Sequence, residues 1–277
     1  NPSMDLSEYI KWGTEFDRTY QLAARWTLNA PYLSYLAGQK YMDIRGYYFL
    51  SHLPNRQQVL QNFSTLDSAQ QQQILSWLSG MCQNSRQTAS TCDENVRRKI
   101  SQKADMNLYY QQLMAVSANI YDSFFQIQNW LKRQDVRWSS TNPSLMLIPF
   151  RETESPSVKT FLINNIEDEW KFNTWRLTLQ FDPAAAINVK FVPGTYPHVD
   201  ALGGNNIFMD GNSSLEDWDT QWTIRHEFGH TLGFPDCYVE FYDSQESVMV
   251  YYQLEVGNLM CSRQGKFQQR HYAELQR

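Results

Sequence analysis

Several things are scarce in this chain of 277 residues. No run of eighteen apolar residues occurs, so no segment reads as a membrane span. Basic residues are the minority: 24 Lys and Arg against 29 Asp and Glu leave a formal charge of −5. The pI near 5.6 and the lack of a basic stripe argue against a nucleic-acid partner. Glycine numbers 12 and is missing between Gly80 and Gly194. Cysteine numbers four, with no C-x-x-C spacing to suggest a thiolate metal site. Histidine numbers five: His52, His198, His226, His230 and His271. Aromatics, by contrast, make up 14% of the chain, which suits a packed globular protein and not a disordered one. This length accommodates one large or two modest domains, each able to bury a core.

Residues 1–140 read as helical, interrupted only by Pro2, Pro31 and Pro54. Apolar residues recur at helical spacing, as in Val59, Leu60 and Phe63, then Ile74, Trp77 and Leu78. Thr65 or Asp67 is placed to cap the helix through Gln70–Gln73. Gly80–Asp93 reads as a polar loop closed by Cys82–Cys92. A long helix is expected over 95–132, with Leu108, Leu113, Val116, Ile120, Phe124 and Ile127 as its apolar stripe. The polar run Asp135–Pro143 marks a boundary, which gives domains of 1–140 and 141–277.

Beyond that boundary the pattern changes. Strands are expected at Ser144–Phe150, Trp175–Phe181, Ile187–Val192 and Asn206–Asp210. A helix capped by Ser155, with Pro156 in its first turn, falls between the first two. Gly194–Gly204 reads as a loop, Leu215–Leu232 as a helix, and Lys266–Leu275 as a closing helix. The class is α+β.

One stretch carries the chemistry: His226-Glu227-Phe228-Gly229-His230-Thr231-Leu232-Gly233-Phe234-Pro235-Asp236. On a helix, His226 and His230 share a face one turn apart, and two neutral imidazoles so placed can hold one zinc ion. Glu227 beside them suits a general base. Gly233 ends the helix and Pro235 keeps it from resuming, so the chain can turn back with Asp236 as third ligand. Three protein ligands leave a fourth position for water, which zinc makes acidic enough for Glu227 to deprotonate near neutral pH.

This stretch resembles the zinc signature of metzincin metallopeptidases. With Asp in place of the usual third His, it is similar to the snapalysins, small secreted bacterial neutral proteases with H-E-x-x-H-x-x-G-x-x-D. Tyr238 follows Asp236 at the snapalysin-like offset, and Gly204-Asn205-Asn206-Ile207-Phe208-Met209-Asp210 resembles the strand before the zinc helix. The likeness covers about 200–262 and extends more loosely back to 144, whereas 1–140 has no such counterpart. It implies a twisted sheet over the zinc helix, with a cleft beneath an edge strand where an extended protein or peptide substrate binds. It also implies a Met-containing turn under the metal. Met260, in Asn258-Leu259-Met260-Cys261, is preferred, and Met249, in Ser247-Val248-Met249-Val250-Tyr251, is the alternative. Tyr238 is the first choice for stabilising an oxyanion and Tyr251 the second.

The expected function is a secreted or periplasmic zinc endopeptidase. The alternatives are a zinc hydrolase restricted to cell-wall peptide or one host protein, or an interaction protein whose metal is structural. Four cysteines allow three pairings, and sequence proximity favours Cys82–Cys92 and Cys237–Cys261, in an oxidising compartment. The chain opens on Asn1, which reads as a mature form whose export signal is gone. Should Asp236 not bind metal, Glu246 or Glu255 is the fallback ligand. Asp200 and Asp210 are candidates for a structural calcium. His198 and Gly203-Gly204 are placed to line the cleft. The helical half is a candidate latency segment. Asn62-Phe63-Ser64 and Asn212-Ser213-Ser214 are glycosylation sequons, meaningful in a eukaryotic secretory route.

Overall fold

The computed structural model describes residues 30–277, so the helical pattern expected over 1–29 lies outside the described residues. The chain forms two compact units. One runs through Asp122 and takes in Val239–Leu254, and the other holds Ser123–Tyr238 and Glu255–Arg277. Both α-helix and β-sheet are present, and the described part of the N-terminal region is helical up to Ser123.

The first unit contains helices α1 (Ala30–Gly38), α2 (Arg45–Ser51), α3 (Arg56–Gln61), α4 (Ser68–Gln83), α5 (Ala89–Ser101) and α6 (Met106–Ser123). Asp67 caps α4 in a capping box: its carboxylate accepts the Gln70 N–H at 2.8 Å while the Gln70 side chain accepts the Asp67 N–H. Leu50, Leu60, Ile74, Leu78, Met81, Val96 and Tyr110 form the core. The helices α2 and α4 meet at Gly46, where a Cβ would stand 2.2 Å from the Trp77 carbonyl oxygen.

Three expectations fail here. Gly80–Asp93 is not a loop: α4 runs past Cys82, Thr88 caps α5, and the Cys82–Cys92 disulfide joins two helices. The long helix over 95–132 is broken. Lys103 adopts a left-handed conformation, φ 51°, and the Asp105 carboxylate takes the Asn107 and Leu108 N–H groups, starting a new helix. The expected stripe fails in part: α6 buries Met106, Asn107, Tyr109, Tyr110 and Ser117 and turns Leu108 and Val116 outward, whereas Leu113 packs against the core and Phe124 and Ile127 are buried just beyond the helix.

A hairpin, β8 (Tyr238–Asp243) with β9 (Val248–Gln253), occupies part of the stretch between the helices expected at Leu215–Leu232 and Lys266–Leu275. From Val239 on it belongs to the helical unit, anchored by buried polar contacts. The Tyr252 hydroxyl donates to Asp43 Oδ1 at 2.9 Å and accepts the Ile44 N–H at 3.0 Å. Burial works against the Asp43 carboxylate. The adjacent Arg45 guanidinium and the Tyr252 hydroxyl outweigh it and hold Asp43 below the ordinary carboxylate range.

The second unit carries β1 (Arg137–Trp138), β2 (Leu145–Arg151), α7 (Pro156–Leu162), β3 (Lys171–Phe172), β4 (Trp175–Asp182), β5 (Asn188–Val192), β6 (His198–Val199), β7 (Asn206–Asp210), α8 (Trp218–Thr231) and α9 (Gln269–Gln276). The polar stretch near 135–143 holds the short β1, which pairs with β2. Strands β2 and β4 pair in parallel across α7, whose N-terminus Ser155 caps by accepting the Val158 N–H. A π-helical turn, Ile163–Glu167, extends α7. Strands β5 and β7 also pair in parallel, with β6 antiparallel at their edge. A Phe150–Ile187 bridge joins the two sheets. Alternation along β2 buries Met146, Ile148 and Phe150.

Trp170 lies wholly buried against Phe228, Phe234, Phe267 and His271, and its indole N–H donates to the Arg225 carbonyl at 3.1 Å. His271 is buried and neutral: Nδ1 accepts the Gln268 N–H and Nε2 donates to Asn258 Oδ1, both at 2.9 Å. Burial, with Arg270 nearby, pushes its pKa down to about 3.

Two outcomes follow. Tyr252→Phe strands the Ile44 N–H and removes a donor from Asp43, so urea denaturation should show a loss of about 1–3 kcal/mol. The unfolded chain protonates His271 near pH 6.5 and the folded chain only near 3, so stability present above pH 6.5 is lost as pH falls through that window. The His271 share is at most about 1.4 kcal/mol per pH unit. His271→Gln keeps both hydrogen bonds, and its stability measured against pH should fall less steeply than wild type between those values.

Candidate metal centre

Helix α8 delivers His226, Glu227 and His230, with His226 and Glu227 buried. Its end is a Schellman motif: Gly233 is left-handed at φ 93°, Phe234 N–H donates to Gly229 O at 3.1 Å, and Gly233 N–H to His230 O at 3.0 Å. A side chain at 233 would fall 2.9 Å from Ile127 Cγ2, so the position is restricted sterically as well. The turn brings the Phe234 carbonyl 2.8 Å from His230 Nδ1 and returns the chain so that Asp236 faces both rings.

Three atoms converge. The two Nε2 atoms of His226 and His230 are 3.1 Å apart, and Asp236 Oδ1 lies 3.1 Å from the first and 3.3 Å from the second. Tetrahedral donors about 2.0–2.1 Å from zinc stand about 3.3 Å apart, so the triangle fits three corners of such a shell. The hydrogen bonding fits too. His226 Nδ1 donates to the Leu259 carbonyl at 3.0 Å and His230 Nδ1 to that of Phe234. In neutral rings both Nε2 atoms therefore present lone pairs. Asp236 Oδ1 is buried without a hydrogen-bond donor among the described residues, and forms an ion pair only when a ring is protonated. Three acceptors facing each other call for a cation in their midst.

The electrostatics agree. Burial disfavours a charged His230, yet Asp236 and Glu227 outweigh burial and raise it to about 9. Burial likewise opposes the Asp236 carboxylate, but the two rings hold it well below the usual range. The site therefore attracts positive charge, whether as protons or as a metal ion.

His226, Glu227 and His230 form a cluster that could hold a metal ion. Distance separates the roles of the two carboxylates. Asp236 closes the triangle. Glu227 lies within 4.8 Å of the ring nitrogens but makes no ion pair with either among the described residues. Burial raises its carboxyl, with the two rings pulling the other way.

The turn Asn258–Cys261 lies under α8. Asn258 Oδ1 accepts the Met260 N–H at 2.9 Å, and the Leu259 carbonyl holds His226. Cys237 N–H donates to the Met260 carbonyl at 3.1 Å, and the Cys237–Cys261 disulfide joins this turn to the ligand loop. Met260 Sδ sits where a Cβ on Gly229 would come within 2.5 Å, so only Gly there admits the methionine without a shift. Met249 is buried on β9, in the helical unit.

The other expected residues lie outside the triangle. Tyr238 is half-buried at the start of β8, and Tyr251, on β9, accepts from Gln253 Nε2. Glu255 pairs with Arg270 at 3.3 Å, and Glu246 is exposed on the hairpin. Neither belongs to the cluster. Asp210 accepts the Gly194 and Asn212 N–H groups and Asp200 accepts from Asn206, so both carboxylates are engaged in turns. Exposed His198 stacks on Phe208 and lies near enough to help lower the Glu227 carboxyl. Gly203 donates its N–H to the His230 carbonyl.

Sequence reasoning missed the residues that brace the site. Trp222 stacks on the His226 ring with centroids 4.9 Å apart, and its position four residues earlier on the same helix was the available signal. Arg225 is gripped by Asn165 Oδ1 at 2.8 Å, offered from the π-helical turn, and by Glu169 at 3.5 Å. Arg133 reaches the Thr231 carbonyl at the end of α8. No local pattern announced either arginine.

Compared with protein-family models, with curated proteins and with solved structures, the chain matches none.

Asp236→Ala removes one corner of the triangle. Titration of the chelator-treated protein with zinc should show affinity weakened by more than about tenfold. Undiminished affinity would mean that another group completes the site.

Proposed function

We propose that this chain is a zinc-dependent endopeptidase of the metzincin type, acting outside the cytoplasm. The observation that carries the reading is the convergence of His226 Nε2, His230 Nε2 and Asp236 Oδ1 at 3.1–3.3 Å, with a buried Glu227 set just outside the triangle. Two nitrogens and one carboxylate oxygen are a donor set that suits zinc and leaves one face open. Zinc held there supplies Lewis acidity toward water and toward a scissile carbonyl.

The chain's own residues do the rest. His226 and His230 are fixed in orientation and tautomer by the Leu259 and Phe234 carbonyls, so neither ring has to reorganise. Glu227 takes a proton from the attacking water on its carboxylate and hands it to the leaving amine. Burial raises its pKa toward the working pH, which suits a group that both accepts and returns a proton. Tyr238, two residues past Asp236, is the candidate to donate to the developing oxyanion. The antiparallel edge strand β6 offers backbone groups to an extended peptide.

A purely structural metal site favours four protein ligands and has no use for a buried carboxylate outside the shell. The two disulfides agree with an oxidising extracytoplasmic compartment. Among the described residues no helix is long and apolar enough to cross a membrane.

Glu227→Gln is the test. Metal analysis should find one zinc in both proteins, while casein hydrolysis falls by about 10²–10⁴-fold in the variant. Equal hydrolysis by the two proteins, or none by zinc-loaded wild type, contradicts the reading.

A further inference from the structure

A pocket of about 190 Å³ opens between α8 and the segment after Cys261, lined by Trp218, Trp222, Arg225, Arg263, Gln264 and Lys266 among others. Both of its walls are tied to the metal centre. Trp222 stacks on the His226 ring at 28° between planes. The facing segment, 263–266, follows directly on the turn whose Leu259 carbonyl holds His226 Nδ1. A group lodged in the pocket therefore sits one side chain away from a metal ligand.

The chemistry of the walls is one-sided. Arg225, Arg263 and Lys266 bring three positive charges. Against them stand two carboxylates, besides Asp168, whose charge reaches Arg225 and Lys266 but is paired with Lys171. Glu169 is already shared among Arg225 at 3.5 Å, Lys266 at 3.1 Å and the Phe267 N–H at 2.7 Å. Asp219 pairs with Arg263 at 3.2 Å, where both side chains are about two-thirds exposed and solvent weakens the contact. One positive charge is left over. The Trp222 indole N–H is buried away from the cavity, so the donors the pocket offers a ligand are those of Arg263 and Lys266. Two exposed cationic side chains and one surplus positive charge suit a small anionic group that only accepts hydrogen bonds.

We propose that this pocket receives a carboxylate of the peptide substrate, so that the enzyme selects for negative charge close to the scissile bond. The proposal rests on the peptidase reading and adds its substrate class. The carboxylate can come from an Asp or Glu side chain or from the chain end, and the experiment separates the two.

The full-length Glu227→Gln protein, loaded with zinc, is titrated calorimetrically with three kinds of peptide. The first are alanine-based peptide amides carrying one Glu moved along the sequence. The second is the all-alanine peptide with a free C-terminus, and the third is its amide. One of the first two kinds should bind about tenfold more tightly than the all-alanine amide, the scale of one charge-assisted hydrogen bond, and whichever does so identifies the source. The preference should vanish in Arg263→Glu/Lys266→Glu, two exposed positions, and shrink with added salt. Should that double variant fail to fold, Arg263→Gln and Lys266→Gln taken singly should each reduce the preference. Equal binding of all three kinds of peptide, or a preference that survives these substitutions, overturns the proposal. Because binding is read without turnover, a preference found alongside inactive wild type would sink the peptidase reading and leave the pocket assignment standing. Active wild type without any preference would do the reverse.

Discussion

Two imidazole nitrogens and a carboxylate oxygen are brought within 3.3 Å of one another by α8 and the turn that ends it. Each is an acceptor once the ring Nδ1 protons are committed to backbone carbonyls. Such a cluster repels itself unless positive charge lies inside it. The raised His230 and depressed Asp236 pKa values express the same demand. Much of the surrounding packing holds these three atoms in place against that repulsion.

The restraint comes from several directions. The Schellman turn fixes the angle between α8 and Asp236, and Cys237–Cys261 joins that loop to the turn carrying Leu259 and Met260. Below, Met260 fills the space left by Gly229, while His271 holds Asn258, which in turn holds Met260 N–H. On the flank, the π-helical turn presents Asn165 to Arg225, and Trp170 donates to the Arg225 carbonyl. A π-helical turn costs regular hydrogen bonding, and such turns are often kept where function needs a side chain aimed off the helical repeat. Here it orients the residue immediately before the first histidine.

How much of this could be read from the chain depends on the range of the interactions. His226, His230, Gly233 and Asp236 were legible because one helical turn plus a cap is local geometry. So were the Asp67 and Ser155 caps and the alternation along β2 and β4. The helix expected over 95–132 was misjudged because apolar periodicity continues across Gln102–Asp105, while the Asp105 carboxylate and the left-handed Lys103 interrupt the backbone. The grouping of β8 and β9 with the helical unit rests on Tyr252 meeting Asp43 and Ile44, 209 and 208 positions away, which no local pattern encodes. The Arg225 network likewise spans about sixty positions.

The most direct measurement is X-ray absorption at the zinc edge of the zinc-loaded protein, alongside its Asp236→Ala variant. The expected spectrum is one zinc with two imidazoles and light oxygen scatterers at about 2.0–2.1 Å, with one oxygen altered or lost on substitution. Failure to retain stoichiometric zinc, or a wild-type spectrum without two imidazoles, would contradict the metal centre and the chemistry built on it.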